Sequence, residues 1–150
     1  AMGAQIRVVE PLLSIRRQAE LHGPDLFARE PDRCCELRKV EPMRRLLTML
    51  DVWVTAIRRD QSPTRAQTPI LSIVQRADAS PVLKVAPLAR WTRGDTWSYI
   101  LDHKLPYNPL LDAGYRSIGC APCTQATPAE DERSGRWAGQ GKTECGIHNL

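Results

Sequence analysis

The chain has 150 residues, 42% hydrophobic and 25% charged, a composition that suits one globular domain with a real core and excludes wholesale disorder. Its formal charge of +4 comes from 21 Lys and Arg against 17 Asp and Glu, without a basic run to track a phosphate backbone. With one Phe and three Tyr it has no base-stacking platform either, so nucleic acid is not an expected partner.

In chain order, Ala1-Met2-Gly3 leads at once into Gln5-Ile6-Arg7-Val8-Val9, a strand-like run, and so abrupt a start is expected of a segment cut from a larger protein or of a tag remnant joined to a truncated one. Residues 11–21 read as a helix with Leu12, Leu13, Ile15 and Ala19 along one side and Gly23 as its stop. Residues 22–33, with two prolines and mixed charge, predict a loop delivering Cys34. Residues 38–50 are helical by composition with Pro42 marking a kink or a fresh first turn, and residues 51–57 are the clearest strand. A polar, basic loop from Arg58 to Arg65 follows, at the carboxyl end of that strand, where open α/β sheets bind ligands.

Residues 70–74 and 82–85 predict two more strands around a polar turn. Residues 92–104 predict a helix that opens on a Thr92/Asp95 capping pattern and buries Trp97 and Ile100. Trp53, Trp91 and Trp97 read as packing residues, and His22 and His103 carry no motif. From Pro106 onward Pro and Gly recur and regularity fades. The coarse reading is an α/β fold with an irregular C-terminal extension, one domain over residues 1–150 whose residues 138–150 form a mobile catalytic tail. No apolar run approaches the roughly 18 residues of a membrane span and no signal-peptide layout opens the chain, which predicts a cytoplasmic protein without membrane attachment.

Five cysteines cannot all pair, and a reducing compartment points to metal or catalysis. They divide as an adjacent pair, Cys34-Cys35, a Cys-x-x-Cys pair, Cys120 and Cys123, and a lone Cys145. Four thiolates hold either a tetrahedral zinc or an iron-sulfur cluster. Zinc pairs are usually spaced by two to four residues so that both sulfurs reach one ion, whereas a cubane offers each sulfur its own iron. Adjacent ligands favour the cluster, although zinc and purely structural or redox thiols stay open at this level. Cys145 lies in a polar tail beside Glu144 and Gly146, with His148 three residues on, as a nucleophile would, since the thiolate is the reactive form and cationic neighbours favour it; an exposed tail cysteine with no role stays open at this level.

Five blocks in order resemble the adenylyl-sulfate (APS) reductases: Cys34-Cys35-Glu36-Leu37-Arg38-Lys39, Ile57-Arg58-Arg59-Asp60-Gln61-Ser62, Pro106-Tyr107-Asn108-Pro109, Gly119-Cys120-Ala121-Pro122-Cys123 and Glu144-Cys145-Gly146-Ile147-His148. The last block also occurs in 3′-phosphoadenylyl-sulfate (PAPS) reductases; the other four cysteines are typical of the iron-sulfur branch. The resemblance implies an adenine-nucleotide α-hydrolase-like (PP-loop) sheet flanked by helices. It implies a [4Fe-4S] cluster on Cys34, Cys35, Cys120 and Cys123, attack by Cys145 on the sulfate sulfur, and release of sulfite by thioredoxin or a glutaredoxin-like dithiol, within sulfate assimilation and cysteine biosynthesis. It further implies substrate contacts from Lys39, Arg133, Arg136, Arg65 and His148, and allows a homo-oligomer.

Three departures stand out. The segment from Cys123 to Arg133 is one residue shorter than the family spacing, Ala56 replaces a glycine, and the family's Ser-Gly-Gly-x-Asp-Ser type loop is not in this sequence. Residues 1–150 by themselves are therefore expected to be inactive. The competing expectations are PAPS or dual specificity, and a zinc-stabilised binding module without catalysis.

Overall fold

The structure, a computed structural model, describes Gly3, residues 5–128 and residues 131–150. The chain forms two compact units, one of Ala1–Asp51, Gln75–Val82 and Cys145–Leu150, the other of Val52–Val74 and Leu83–Glu144.

The first unit is helical. Helix α1, Ile15–His22, starts where the Ser14 hydroxyl accepts the Arg17 N–H at 3.1 Å. It stops at Gly23, whose φ of 81° suits glycine and whose missing Cβ leaves room for the Arg29 guanidinium. Helices α2, Leu26–Arg29, and α3, Pro31–Cys35, then lead into a π-helical turn, Glu36–Val40, and α4, Glu41–Leu47. Pro42 explains the wide turn. It has no N–H for the carbonyl one turn back, and the segment ahead of it widens so that the Glu41 N–H goes to the Glu36 carbonyl. Leu26, Cys35, Val40, Pro42 and Leu47 are buried along this run. Arg76 closes the carboxyl end of α4 by donating to the Leu47 carbonyl at 2.9 Å and to the Leu50 carbonyl.

The sheet has three strands, β1 Val52–Val54, β2 Leu71–Gln75 and β3 Pro81–Val85, in the order β1-β3-β2. β1 and β3 run parallel with Trp53 opposite Lys84, so the two side chains share a face and the Lys84 ammonium sits 4.6 Å from the Trp53 ring centroid. On alternate positions Val52, Val54, Leu71 and Ile73 are exposed. Helix α5, Arg93–Asp102, begins on a reciprocal cap in which the Thr92 hydroxyl accepts the Asp95 N–H and the Asp95 carboxylate accepts the Thr92 N–H. Irregular chain follows, as expected of an α/β fold with a loop-rich C-terminal extension.

Several expectations are corrected. Residues 5–9 form no strand, and Ile6 and Val8 are exposed, because a strand needs a neighbour to take its backbone groups and none of the described residues pairs with this run. Helix α1 begins at Ile15 rather than residue 11, Leu12 ahead of it and Ile15 in it are exposed, and Gln18 is buried. The segment before Cys34 is two short helices, not a loop, with Pro31 taking the first-turn position of α3 where its missing N–H costs nothing. The strand expected over residues 51–57 shortens to Val52–Val54. Trp97 and Ile100 are half-buried, not buried.

These placements separate two substitutions that look alike in the sequence. Leu26→Ala removes a side chain only 2% exposed and is expected to cost about 3 kcal/mol in urea unfolding, whereas Ile6→Ser, at a position 89% exposed, should change stability by less than about 0.5 kcal/mol.

Candidate active site

In the second unit the site grows out of the loop after β1. Arg58 is buried and ion-paired to Asp60 at 3.0 Å and Glu132 at 2.6 Å. The other oxygen of Asp60 accepts the Arg93 N–H at 2.6 Å, at the start of α5. Arg59 donates to the Thr68 carbonyl at 2.9 Å. Both arginines therefore serve to fix the loop, and the guanidinium that reaches onward is Arg65. It donates to the Gln61 side-chain oxygen at 2.6 Å through one nitrogen and keeps its remaining edge for an anion.

The anion it meets is Glu144, the residue before Cys145. Arg65 grips this carboxylate through a two-pronged fork, Nε to Oε1 and Nη2 to Oε2, both at 2.7 Å. Arg133 adds a second guanidinium, donating to Glu144 at 3.2 Å and to the neighbouring Thr143 carbonyl at 2.6 Å. The hydroxyls of Thr64 and Ser62 complete the cradle at 3.2 and 3.4 Å. All three charged side chains are shielded, with exposures of 11% for Arg65, 10% for Arg133 and 16% for Glu144. Burial alone would raise the Glu144 carboxyl, but the Arg65 hydrogen bond and the charges of Arg133 and Arg65 outweigh it and hold it below the ordinary carboxylate range. Lys84, buried on β3, has its ammonium pushed down by burial first and by the Arg65 charge second.

Cys120 and Cys123 flank a 3₁₀ turn, Ala121–Cys123, stitched to the segment carrying Arg136 and Trp137. Thr124 and Arg136 form an antiparallel bridge, Trp137 N–H donates to the Cys123 carbonyl at 2.9 Å, and Gln125 N–H donates to the Gly135 carbonyl at 2.9 Å. A side chain at Gly135 would collide with the Gln125 carbonyl, which as backbone cannot give way. Arg136 is buried, stacks 4.6 Å from the Trp137 ring centroid, donates to the Ile118 carbonyl at 3.1 Å and fills the space a Cβ at Gly119 would take. Its Nε and the Ser117 hydroxyl are buried without a hydrogen-bond partner.

The first unit holds the remaining candidates. Cys34 and Cys35 end α3, and Lys39 lies half-buried in the π-helical turn after them. Buried Gln18 of α1 reaches the Cys34 sulfur at 3.9 Å, while Arg38 donates to the Gln18 side-chain oxygen at 3.5 Å. Cys145 and His148 stand on either side of Gly146, whose φ is 88° and where a Cβ would press on Val40 at 3.2 Å. No disulfide joins any of the five cysteines. Among the described residues of neither unit do three Cys, His, Asp or Glu side chains gather as a metal site. Among the described residues no helix is long and apolar enough to cross a membrane.

Residues 1–126 match the phosphoadenosine phosphosulfate reductase domain. The chain belongs to that family. It is 50% identical over 145 residues to the adenosine 5′-phosphosulfate reductase of Geobacillus thermodenitrificans, covering 96% of this chain and 60% of that protein. It is 53% identical over 136 residues to the adenosine 5′-phosphosulfate reductase of Rhodococcus opacus, covering 90% of this chain and 54% of that one. The chain thus spans about 60% of the length of the curated relatives it matches. The crystal structure of phosphoadenylyl-sulfate reductase from Candida auris, in phosphate complex, superposes with a TM-score of 0.58 at 30% identity, over 74% of this chain and 52% of that one. The expected sulfonucleotide-reductase family and its PP-loop α/β fold are both borne out.

Within this reductase family member, the sequence singled out Arg65 and Arg133, and the structure brings them together on one carboxylate. Arg136 faces Gly119 and Trp137 instead. Gln18 and Lys84 were missed. Gln18 gave no signal beyond a polar residue on an amphipathic helix, but a lysine inside Pro81-Val82-Leu83-Lys84-Val85 is a charge where a strand should be apolar. The depressed Glu144 carboxyl makes a signed prediction. Stability from the clamp is complete above the ordinary glutamate pKa of 4.5 and is lost as pH falls through the lower folded value. Urea unfolding should therefore find Glu144→Gln less stable than wild type at pH 7, with the gap shrinking as the solution is taken below pH 4.5.

Proposed function

We propose that the protein containing this chain reduces adenylyl sulfate to sulfite and AMP, with Cys145 as nucleophile. The observation that carries the reading is the pair of shielded guanidinium groups, Arg65 and Arg133, converging on one anion at the residue before a free thiol. A phosphosulfate is an anion of the same appetite. Its charge must be clamped while the sulfur-oxygen bond breaks, and paired guanidinium forks do this well. The similarity to two adenosine 5′-phosphosulfate reductases at 50% and 53% identity supports the same substrate.

In this reading the Cys145 thiolate attacks the sulfate sulfur, a sulfur-sulfur bond forms, the bond to the phosphate oxygen breaks and AMP leaves. A thioredoxin or glutaredoxin-like dithiol then attacks the Cys145 sulfur, releasing sulfite. Its second thiol resolves the mixed disulfide, so two thiols are oxidised for each sulfite formed. Lys39, Arg133, Arg65, Arg136 and His148 bind the anion or orient the thiol, and residues 138–150 are the tail that brings Cys145 to it.

A [4Fe-4S] cluster on Cys34, Cys35, Cys120 and Cys123 fits the donor set. These are four cysteines that no disulfide ties up, and near the second pair, which the Thr124–Arg136 bridge joins to the next segment, a buried Arg136 nitrogen and the Ser117 hydroxyl lack hydrogen-bond partners. A cationic group there suits an anionic, thiolate-ligated centre. When bound, the cluster supplies a local charge that polarises the site without donating electrons. Gln18, against the Cys34 sulfur, would orient one ligand. The free reductant and the cysteines together suit a cytoplasmic protein of sulfate assimilation. A second reading, PAPS as substrate, is favoured by the likeness to the Candida auris phosphoadenylyl-sulfate reductase.

Anaerobically purified protein should contain iron and acid-labile sulfide, and Cys145→Ser should retain both while forming no sulfonated cysteine with adenylyl sulfate. Peptide mass spectrometry after incubation with each nucleotide reads the adduct and the preference together. Zinc without sulfide, or an adduct on another cysteine, would defeat the assignment.

A further inference from the structure

Five donor contacts meet the Glu144 carboxylate, two from Arg65 and one each from Arg133, Thr64 and Ser62. A carboxylate offers about four lone-pair sites, so this one is saturated. The donors are committed as well. Arg65 spends Nε and one terminal nitrogen on Glu144 and the other on Gln61, and Arg133 spends its Nε and Nη2 on Thr143 and Glu144. An incoming phosphosulfate needs these same guanidinium edges. Two anions cannot hold them at once, because like charges at such distance repel and each would lose its hydrogen bonds in a shielded site.

We propose that Glu144 is an internal competitor for the substrate anion: its carboxylate occupies the Arg65–Arg133 clamp until an anionic ligand displaces it, and that displacement frees the segment that carries Cys145. The proposal rests on the reading of Arg65 and Arg133 as the substrate-anion site. Arg133 holds the Thr143 carbonyl as well as the Glu144 side chain, so the clamp fixes two successive residues immediately before the nucleophile. A clamped tail keeps the thiol from reacting in the absence of substrate, and substrate binding itself supplies the release. The neutral amide of Glu144→Gln still accepts hydrogen bonds from Thr64 and Ser62 but gives up the charge, so the cradle stays filled while competition weakens.

The test measures two things in the full-length protein that contains this chain, as wild type and as Glu144→Gln: anion affinity, from the change in tryptophan fluorescence on titration with adenylyl sulfate and with inorganic sulfate, and the rate of Cys145 alkylation by iodoacetamide, located by peptide mass spectrometry. Trp137 lies 5.9 Å from the Arg133 guanidinium, close enough to report. Glu144→Gln should bind either anion about tenfold tighter, the equivalent of one charge-assisted contact no longer displaced. Its Cys145 should alkylate fast with or without sulfate, whereas wild type should speed up only when sulfate is added. A purely structural role for Glu144 would weaken binding in the variant instead. Equal affinities, or alkylation of wild type indifferent to sulfate, overturn the proposal and leave the substrate reading standing. If neither protein binds adenylyl sulfate but inorganic sulfate gives the expected ratio, the substrate reading fails and the competition stands. If neither anion binds either protein, both fail.

Discussion

A carboxylate held between two guanidinium groups, mostly out of water, is the interaction on which the second unit's site depends. Exposed pairs of this kind contribute little, because solvent screens them and flexible side chains must be ordered. The Glu144 pair differs on both counts. Its members are shielded, and Arg65 meets the carboxylate along a bidentate edge that fixes orientation as well as distance. Removing the carboxylate would leave two shielded guanidinium groups without their shared counter-ion.

The remainder of the unit can be followed outward from that point. Arg65 stands where it does because Arg58, Asp60 and Arg93 pin the loop after β1 to the start of α5. Lys84 adds positive potential from the neighbouring strand at the cost of a buried amine, which the Trp53 ring partly offsets. Arg133 and Arg136 both lie against the ring of Trp137, a residue held at a φ of 48°, in the left-handed region that a bulky side chain rarely adopts. Backbone strain of this kind is kept only where surroundings over-determine it. Here the Trp137 N–H is tied to the Cys123 carbonyl, so one residue links the Cys-x-x-Cys turn to the two arginines.

The parts legible in the sequence were those decided locally. The α5 start was readable because a capping box needs only four residues, and the Pro42 break because proline forbids a specific hydrogen bond. What could not be read were features settled by distant partners. Residues 5–9 have the composition of a strand but no strand beside them, and α1 has an apolar stripe that points outward while Gln18 turns in toward Cys34. Lys84 stood out only as a charge in an apolar strand, and what it packs on depended on its register partner, Trp53. Likewise the motif around Cys145 flagged Glu144 without revealing that its carboxylate would take the arginines expected to meet substrate.

A double-mutant cycle on Arg65 and Glu144, read by urea unfolding at neutral pH, tests most directly whether this pair organises the site. With Arg65→Met, Glu144→Gln and the double variant, the account predicts a coupling energy of about 1.5–3 kcal/mol, that of a hydrogen-bonded charged pair. A coupling within about 0.5 kcal/mol of zero, as found for residues that act independently, would contradict it.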